Sequence, residues 1–338
     1  MSEPCKEAEA PTIASRATGP HALFRALIVI PGTVNYFYNQ SGRRLGEALR
    51  ELGGEVDIAT LQECPERDYD WCIFSNITEV LYAVGEEEGV RRIRSLAPRW
   101  RHTASCAIDC VRTVWYERIW ESCRRCGIEL ILDMALCDQS RFLAADRLSN
   151  YRFVFSGLTP SERDALEELS QRDQPRTFPW AFVGHKTAYR AALLDHLLQS
   201  VDVGGFVYMP SPAPYTENGS PHLNQEKFEM VLRQTRYQIW CSHHHHFYME
   251  PERFRASLLT GGVPVKILDS LDNVPSDAPF SYLMMSAEQV GPRLRDGIFQ
   301  RVRRRFHSDW RGAPLLSEEL SRVLLLPSAA EQTRCRAA

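Results

Sequence analysis

Short unbroken apolar runs alternate with longer amphipathic segments along most of this chain, and that alternation restricts the fold more than any other feature. Residues 24–30 (FRALIVI) are almost wholly apolar and run into Pro31-Gly32, the profile of a strand buried on both faces that ends in a turn. A helix is expected over 40–52, then strands over 55–59 and 70–74 and a helix over 86–96. A strand over 102–108, a helix over 111–125 and a strand over 128–132 continue the series. Strands that alternate with helices pair in parallel through crossovers, so the pattern predicts a doubly wound α/β sheet rather than antiparallel hairpins.

The alternation loosens after Leu132 and resumes at 151–155 (YRFVF). Thr159, followed by Pro160 and then Glu162, has the composition of a capping box, in which the threonine and glutamate side chains bond each other's backbone N–H. A strand over 180–183, Gly184, a helix over 188–199, a strand over 206–209 and a helix over 225–234 follow. Residues 237–269 then form a complete strand-helix-strand unit. Four consecutive histidines, His243 to His246, leave the first strand, and Pro251 suits the first helical turn. Glu250 and Glu252 suit the positive end of the helix dipole, and Gly261-Gly262 suit its exit before an apolar strand over 263–268. A strand over 282–285 and at least two amphipathic helices within 287–326 complete the chain. Two such sheets in tandem, joined near 135–160, predict two Rossmann-like domains facing across a cleft. The expected division is a tail over 1–22, domains over 23–145 and 146–327, and a tail over 328–338.

A chain of 338 residues, 44% hydrophobic and 25% charged, is long enough for two such cores. A net charge of -3 gives no global reason to expect a nucleic-acid partner. No run approaches the roughly 20 apolar residues that span a bilayer, and residues 1–20 lack the apolar stretch of a signal peptide, so a cytoplasmic protein without a membrane span is expected. Its ten cysteines then read as reduced thiols. Cys106, Cys110, Cys123 and Cys126 have spacing compatible with a zinc site, although buried cysteines also serve as small apolar residues.

The segment 180–197 (WAFVGHKTAYRAALLDHL), with RYQIWCS at 236–242 and EPERFRASLLTGGVPVKI at 250–267, resembles the C-terminal half of a GT-B glycosyltransferase. It is most similar to the spore-protein-type glycosyltransferase-like group. The resemblance covers about residues 150–326 by order of elements, and it implies a C-terminal domain that binds a nucleotide-sugar donor and an N-terminal domain that shapes the acceptor site. Donor-binding candidates are Gly184, His185, Arg190, Arg236, Glu250, Glu252, Arg253 and Gly262, and Gly32 and Asn35 are candidates after the first strand. Arg253 occupies the place of the family's basic residue before the apolar helix, where a planar guanidinium neutralises a leaving diphosphate. Retaining members carry two glutamates eight residues apart. Here Met249 and Ser257 occupy those positions, so Glu250 and Glu252 fall out of that register.

An imidazole near neutrality, His244 or His246, or the carboxylate of Asp109 after the strand over 102–108, would serve as base toward an acceptor hydroxyl. The expected activity is transfer of a sugar from a nucleotide-diphosphate donor to a hydroxyl acceptor, with no metal or cofactor. Two alternatives stand beside it: a catalytically silent binding protein of the same fold, and a metal-dependent hydrolase built on His243 to His246.

Overall fold

The computed structural model describes residues 22–32, 36–170, 175–210, 223, 225–272, 274–295 and 297–324. The first half runs β1 (Phe24–Ile30), α1 (Tyr36–Glu51), β2 (Gly54–Thr60), β3 (Tyr69–Phe74), α2 (Ile77–Val84), α3 (Glu86–Leu96), β4 (Trp100–Ala107), α4 (Val114–Cys126), β5 (Leu130–Ala135), α5 (Ala145–Leu148) and β6 (Tyr151–Phe155). The second half runs α6 (Pro160–Ser170), β7 (Phe178–Val183), α7 (Ala188–Ser200), β8 (Phe206–Tyr208), α8 (Gln225–Arg233), β9 (Thr235–Trp240), α9 (Pro251–Leu259), β10 (Val263–Ile267), β11 (Met284–Met285), α10 (Ala287–Arg295), α11 (Phe299–Gly312) and α12 (Leu316–Leu324). The strands form two sheets, ordered β2-β1-β3-β4-β5-β6 and β11-β10-β9-β7-β8, and every strand pair is parallel. The protein is therefore a pair of Rossmann-like α/β domains, with helices covering sheets whose central strands are buried on both faces.

Local sequence explains most of these elements. Helix α1 carries two glycines on its sheet-facing side: a Cβ at Gly42 would lie 2.4 Å from Ile30 Cγ2, and one at Gly46 would lie 2.7 Å from Ile58 Cδ1. The helix can press this close to β1 and β2 only without those methyl groups. Helix α6 opens on the capping box read from the sequence: Thr159 N donates to Glu162 Oε2 at 3.0 Å, and Glu162 N donates to Thr159 Oγ1 at 3.4 Å.

Two elements fall on the other side of the expected division at residue 146. Strand β6 pairs with β5 and forms the edge of the first sheet. Helix α12 returns to the same sheet, where Leu316, Leu320 and Leu324 join the core of Ala26, Ile28, Leu132 and Val154. Gly157 permits that return, because a Cβ there would stand 2.0 Å from the Pro314 carbonyl oxygen.

The halves are tied by a buried ionic cluster. Arg44 of α1 donates to Glu162 of α6 (2.9 Å), to Glu252 of α9 (3.4 Å) and to the Gly157 carbonyl (2.6 Å). Arg255 of α9 donates to Glu162 (2.8 Å), to Glu252 and to Gln40 (3.2 Å). The four charged side chains are 4–11% exposed.

Candidate functional site

In an open parallel sheet the chain leaves neighbouring strands in opposite directions at one point, and the crevice outside the strands' carboxyl ends there is where ligands bind. The second sheet has that switch between β7 and β9: the chain passes from β7 outward to β8, then back across to β9 and on to β10. The first sheet has it between β1 and β3.

The β7 and β9 ends carry the charged groups. After β7, Thr187 caps α7 by accepting the Arg190 N–H at 3.1 Å. The Arg190 guanidinium is buried and turned sideways onto the neighbouring strand's exit, donating to the Cys241 carbonyl from Nε (3.1 Å) and Nη2 (2.9 Å) and to the His185 carbonyl at 3.3 Å. Gly184 makes room for it, since a Cβ there would meet Arg190 Nη1 at 3.1 Å. Arg190 thus clamps the two loops of the switch point together.

After β9 the chain runs through Ser242, the four histidines and Phe247 to Met249 before α9 begins at Pro251. Lys266 of β10 lies fully buried beneath this loop, donating to Ser242 Oγ at 2.8 Å with its ammonium 4.2 Å from the Trp240 ring centroid. Burial lowers the Lys266 ammonium to about 8, against the pull of Glu250. Burial works to raise the Glu250 carboxyl, but Lys266, Arg190 and Arg253 outweigh it and hold the group below the ordinary glutamate value. Arg253 stands one turn into α9, paired loosely with Glu250 at 3.9 Å. Its guanidinium also faces the rings of Phe228 (5.6 Å) and, across the domain boundary, Phe37 (6.0 Å). The nitrogens of Arg253 donate no side-chain hydrogen bond among the described residues.

The same loop touches the first domain. Tyr248 packs against Cys110 and Ala135, Cys110 Sγ approaches the Phe247 carbonyl at 4.0 Å, and Cys137 Sγ lies 3.3 Å from Met249 Sδ. These contacts bring the ends of β4 and β5 to the second sheet and put Asp109 opposite Glu250. Asp109 is half-buried, and burial, then the charges of Glu250 and Glu79, raise its carboxyl to about 7. Behind it Asp133 is fully buried, accepting from Tyr151 (2.7 Å) and from Gln139 Nε2 (3.1 Å). Gln139 in turn accepts the Val111 N–H at 3.1 Å and so steadies the loop that presents Asp109.

The histidines are unequal. His243 and His245 are exposed, His244 and His246 half-buried. Burial keeps His244 down at about 4, and its Nδ1 is buried without a partner among the described residues. Among the described residues no three His, Cys, Asp or Glu side chains are grouped to hold a metal ion. Cys106, Cys110, Cys123 and Cys126 are buried, and burial raises each thiol, Cys106 to about 12 and Cys126 to about 11, as expected of apolar packing.

Of the residues singled out by sequence, the fold gathers Gly184, His185, Arg190, His243 to His246, Glu250 and Arg253 at one switch point, with Asp109 facing them. Gly32, with φ +65°, follows β1 at the other switch point, where its N–H donates to Asn39 Oδ1 at 3.1 Å. Asn39, inside α1, thus braces the turn after β1. Asn35 lies outside the described residues. Three candidates stand elsewhere. Glu252 belongs to the ionic cluster between domains. Gly262 precedes β10, where a Cβ would strike Gln238 Nε2 at 2.4 Å. Arg236 projects from the amino-terminal end of β9. Met249 faces Cys137, and Ser257 donates to Gln238 at 2.6 Å, so both positions of the glutamate pair are committed to the interior. Lys266 went unread in the sequence, although a lysine within the apolar strand VPVKI is a visible anomaly.

No protein-family model matches the chain, and no curated protein matches its sequence. Its fold matches solved structures. An alpha-glucosyltransferase in complex with UDP and a 13-mer DNA containing a HMU base superposes with a TM-score of 0.53 at 10% identity, over 88% of this chain and 97% of that one. The glycotransferase of kitacinnamycin (TM-score 0.39, 12% identity, 90% and 99% covered) and the glycosyltransferase SnogD from Streptomyces nogalater (TM-score 0.38, 14% identity, 90% and 100% covered) align more loosely. The two parallel-sheet domains are thus those of the GT-B architecture. Among the described residues no helix is long and apolar enough to cross a membrane.

Proposed function

We propose that this chain is a glycosyltransferase that moves a sugar from a nucleoside-diphosphate donor to an acceptor hydroxyl, acting in the cytoplasm. One observation carries the reading: Lys266, Arg190 and Arg253 surround Glu250 at the switch point of the second sheet. Three cations against one carboxylate leave a net positive site, suited to a dianionic diphosphate, beside the amino-terminal ends of α7 and α9. The UDP held by the alpha-glucosyltransferase of like fold supports the choice of donor. Within the class we place the chain nearest the spore-protein-type group, on the motif around Arg253.

The parts take distinct roles in this reading. Arg253, whose nitrogens donate no side-chain hydrogen bond among the described residues, meets the diphosphate; Arg190 and Lys266 hold the loops and supply field. Negative charge grows on the diphosphate as the C1–O bond breaks and its electrons leave with the phosphate oxygen, so fixed cations favour the transition state over the ground state. Asp109, near neutrality, takes the acceptor's proton as its oxygen attacks C1. His244 is the second candidate for that proton, and His246 lines the approach. No resident metal or cofactor is part of this proposal, and the donor is a substrate.

Arg253→Ala tests it by titration calorimetry with UDP, TDP and their hexose conjugates. The expected result is a roughly 10- to 100-fold loss of affinity, the worth of a hydrogen bond to a charged group; unchanged affinity refutes the assignment. A binding protein without turnover is the second reading, favoured by the commitment of Met249 and Ser257 to the interior. Donor consumption in a product screen separates the two.

A further inference from the structure

At the amino-terminal edge of the second sheet lies a cavity of about 410 Å³, between the starts of β7 and β9 and the turn from α10 to α11. It is the length of β9 away from the switch point, roughly 20 Å for six residues. Its walls divide by chemistry. Pro179, Leu294 and Phe299 form an apolar side, with the Phe299 ring held edge-on against Tyr237 at 5.3 Å. Arg236 stands on the polar side with Gln300, and no carboxylate lines the cavity among the described residues. Arg236 is exposed and forms neither an ion pair nor a side-chain hydrogen bond among the described residues, where most other arginines are paired or stacked. A second guanidinium, Arg176, also lines the cavity and donates to the carbonyls of Arg233, Thr235 and Thr260.

A cavity in the size range of small-molecule sites, with one apolar wall and one uncommitted guanidinium, selects for an amphipathic anion. We propose that it is a second binding site, separate from the donor site, for a small organic anion that carries an aromatic or alicyclic body. The body lies against Phe299, Leu294 and Pro179, and the carboxylate, sulfonate or phosphate meets Arg236. The cavity would discriminate against a bare inorganic ion, which leaves the apolar wall wet, and against a neutral ring, which leaves Arg236 without its counter-charge.

The probe is 8-anilinonaphthalene-1-sulfonate, titrated by fluorescence into the folded full-length chain. The expected result is saturable binding of one equivalent. Arg236→Ala weakens it at least about tenfold, Leu294→Trp weakens it by filling the apolar side, and Arg253→Ala leaves it unchanged. Circular dichroism of each variant verifies the fold, and Arg236→Lys, which keeps the charge, retains binding within a few-fold. Wild-type affinity in either Arg236→Ala or Leu294→Trp overturns the proposal, as does binding that fails to saturate. None of these outcomes depends on the donor assignment, so the two can fail separately.

Discussion

Replacing Arg44 by methionine isolates the contribution of the ionic cluster that ties the two domains. The cluster holds two arginines and two glutamates, all at most 11% exposed, so its charges balance. Removing Arg44 leaves Glu162 and Glu252 to share Arg255 and strands the Gly157 carbonyl that Arg44 reaches at 2.6 Å. Breaking a buried ion pair from one side costs about 3–5 kcal/mol, because the remaining charge stays desolvated without its partner. For 338 residues, an unfolding entropy of about 2 cal/mol/K per residue converts this to a fall in melting temperature of about 4–7 °C. The assay is thermal unfolding followed by circular dichroism at pH 7, with Glu162→Gln and the double variant completing a cycle. The double variant restores neutrality and should be more stable than the sum of the single losses by about 1 kcal/mol or more. Acid adds an independent check. Glu162 lies below the ordinary glutamate value of 4.5, since Arg44 and Arg255 outweigh its burial. Its stabilisation is therefore complete above that value and lost as pH falls through the depressed one. In Arg44→Met this acid loss should shrink. A melting shift under about 1 °C, or strict additivity in the cycle, would show that the cluster is solvated and that this reasoning fails.

Other expectations follow from single contacts. Asp109→Asn should lower turnover by about 10²- to 10⁴-fold while donor affinity changes little, and the wild-type rate should climb with pH and level off above about 7, where the carboxyl ionises; a flat profile would point to a different base. Gly157→Ala should cost about 1–3 kcal/mol in denaturant unfolding, because the new methyl meets the Pro314 carbonyl oxygen and pushes α12 from the first sheet. Lys266→Met should raise the Glu250 carboxyl, measurable by NMR titration. In the wild type Lys266 loses its proton near 8 when folded and near 10.5 when unfolded, so stability should rise with pH across that interval, and the methionine variant should lack the rise.

The candidate site was partly legible before the fold was known. Arg253, Glu250 and the histidines stand out because a polar cluster between a strand and a proline-started helix has few structural explanations. Glu252 carries the same local signature as Glu250, two residues away. A helix turns by about 100° per residue, so the one side chain faces the switch point and the other faces α1 and α6. Arg236 precedes the histidines by only seven positions, but an extended strand carries those positions to opposite ends of the sheet. Lys266 could have been suspected from its place in an apolar strand, though not its partner Ser242, which lies 24 residues away on a different strand's exit.

What this sequence determined alone is most of the succession of strands and helices, short helices such as α2 and α5 aside, and the shape of the β9-α9-β10 unit, because hydrophobic period, caps and glycine exits act over a few residues. The tertiary structure decided the order of the strands, and with it both switch points, the placement of β6 and α12 on the first sheet, and the pairing of Asp109 with Glu250. Those outcomes depend on which apolar faces bury one another, and on which charges must share a desolvated space, between residues well beyond the reach of one helix or strand; no local pattern encodes that choice.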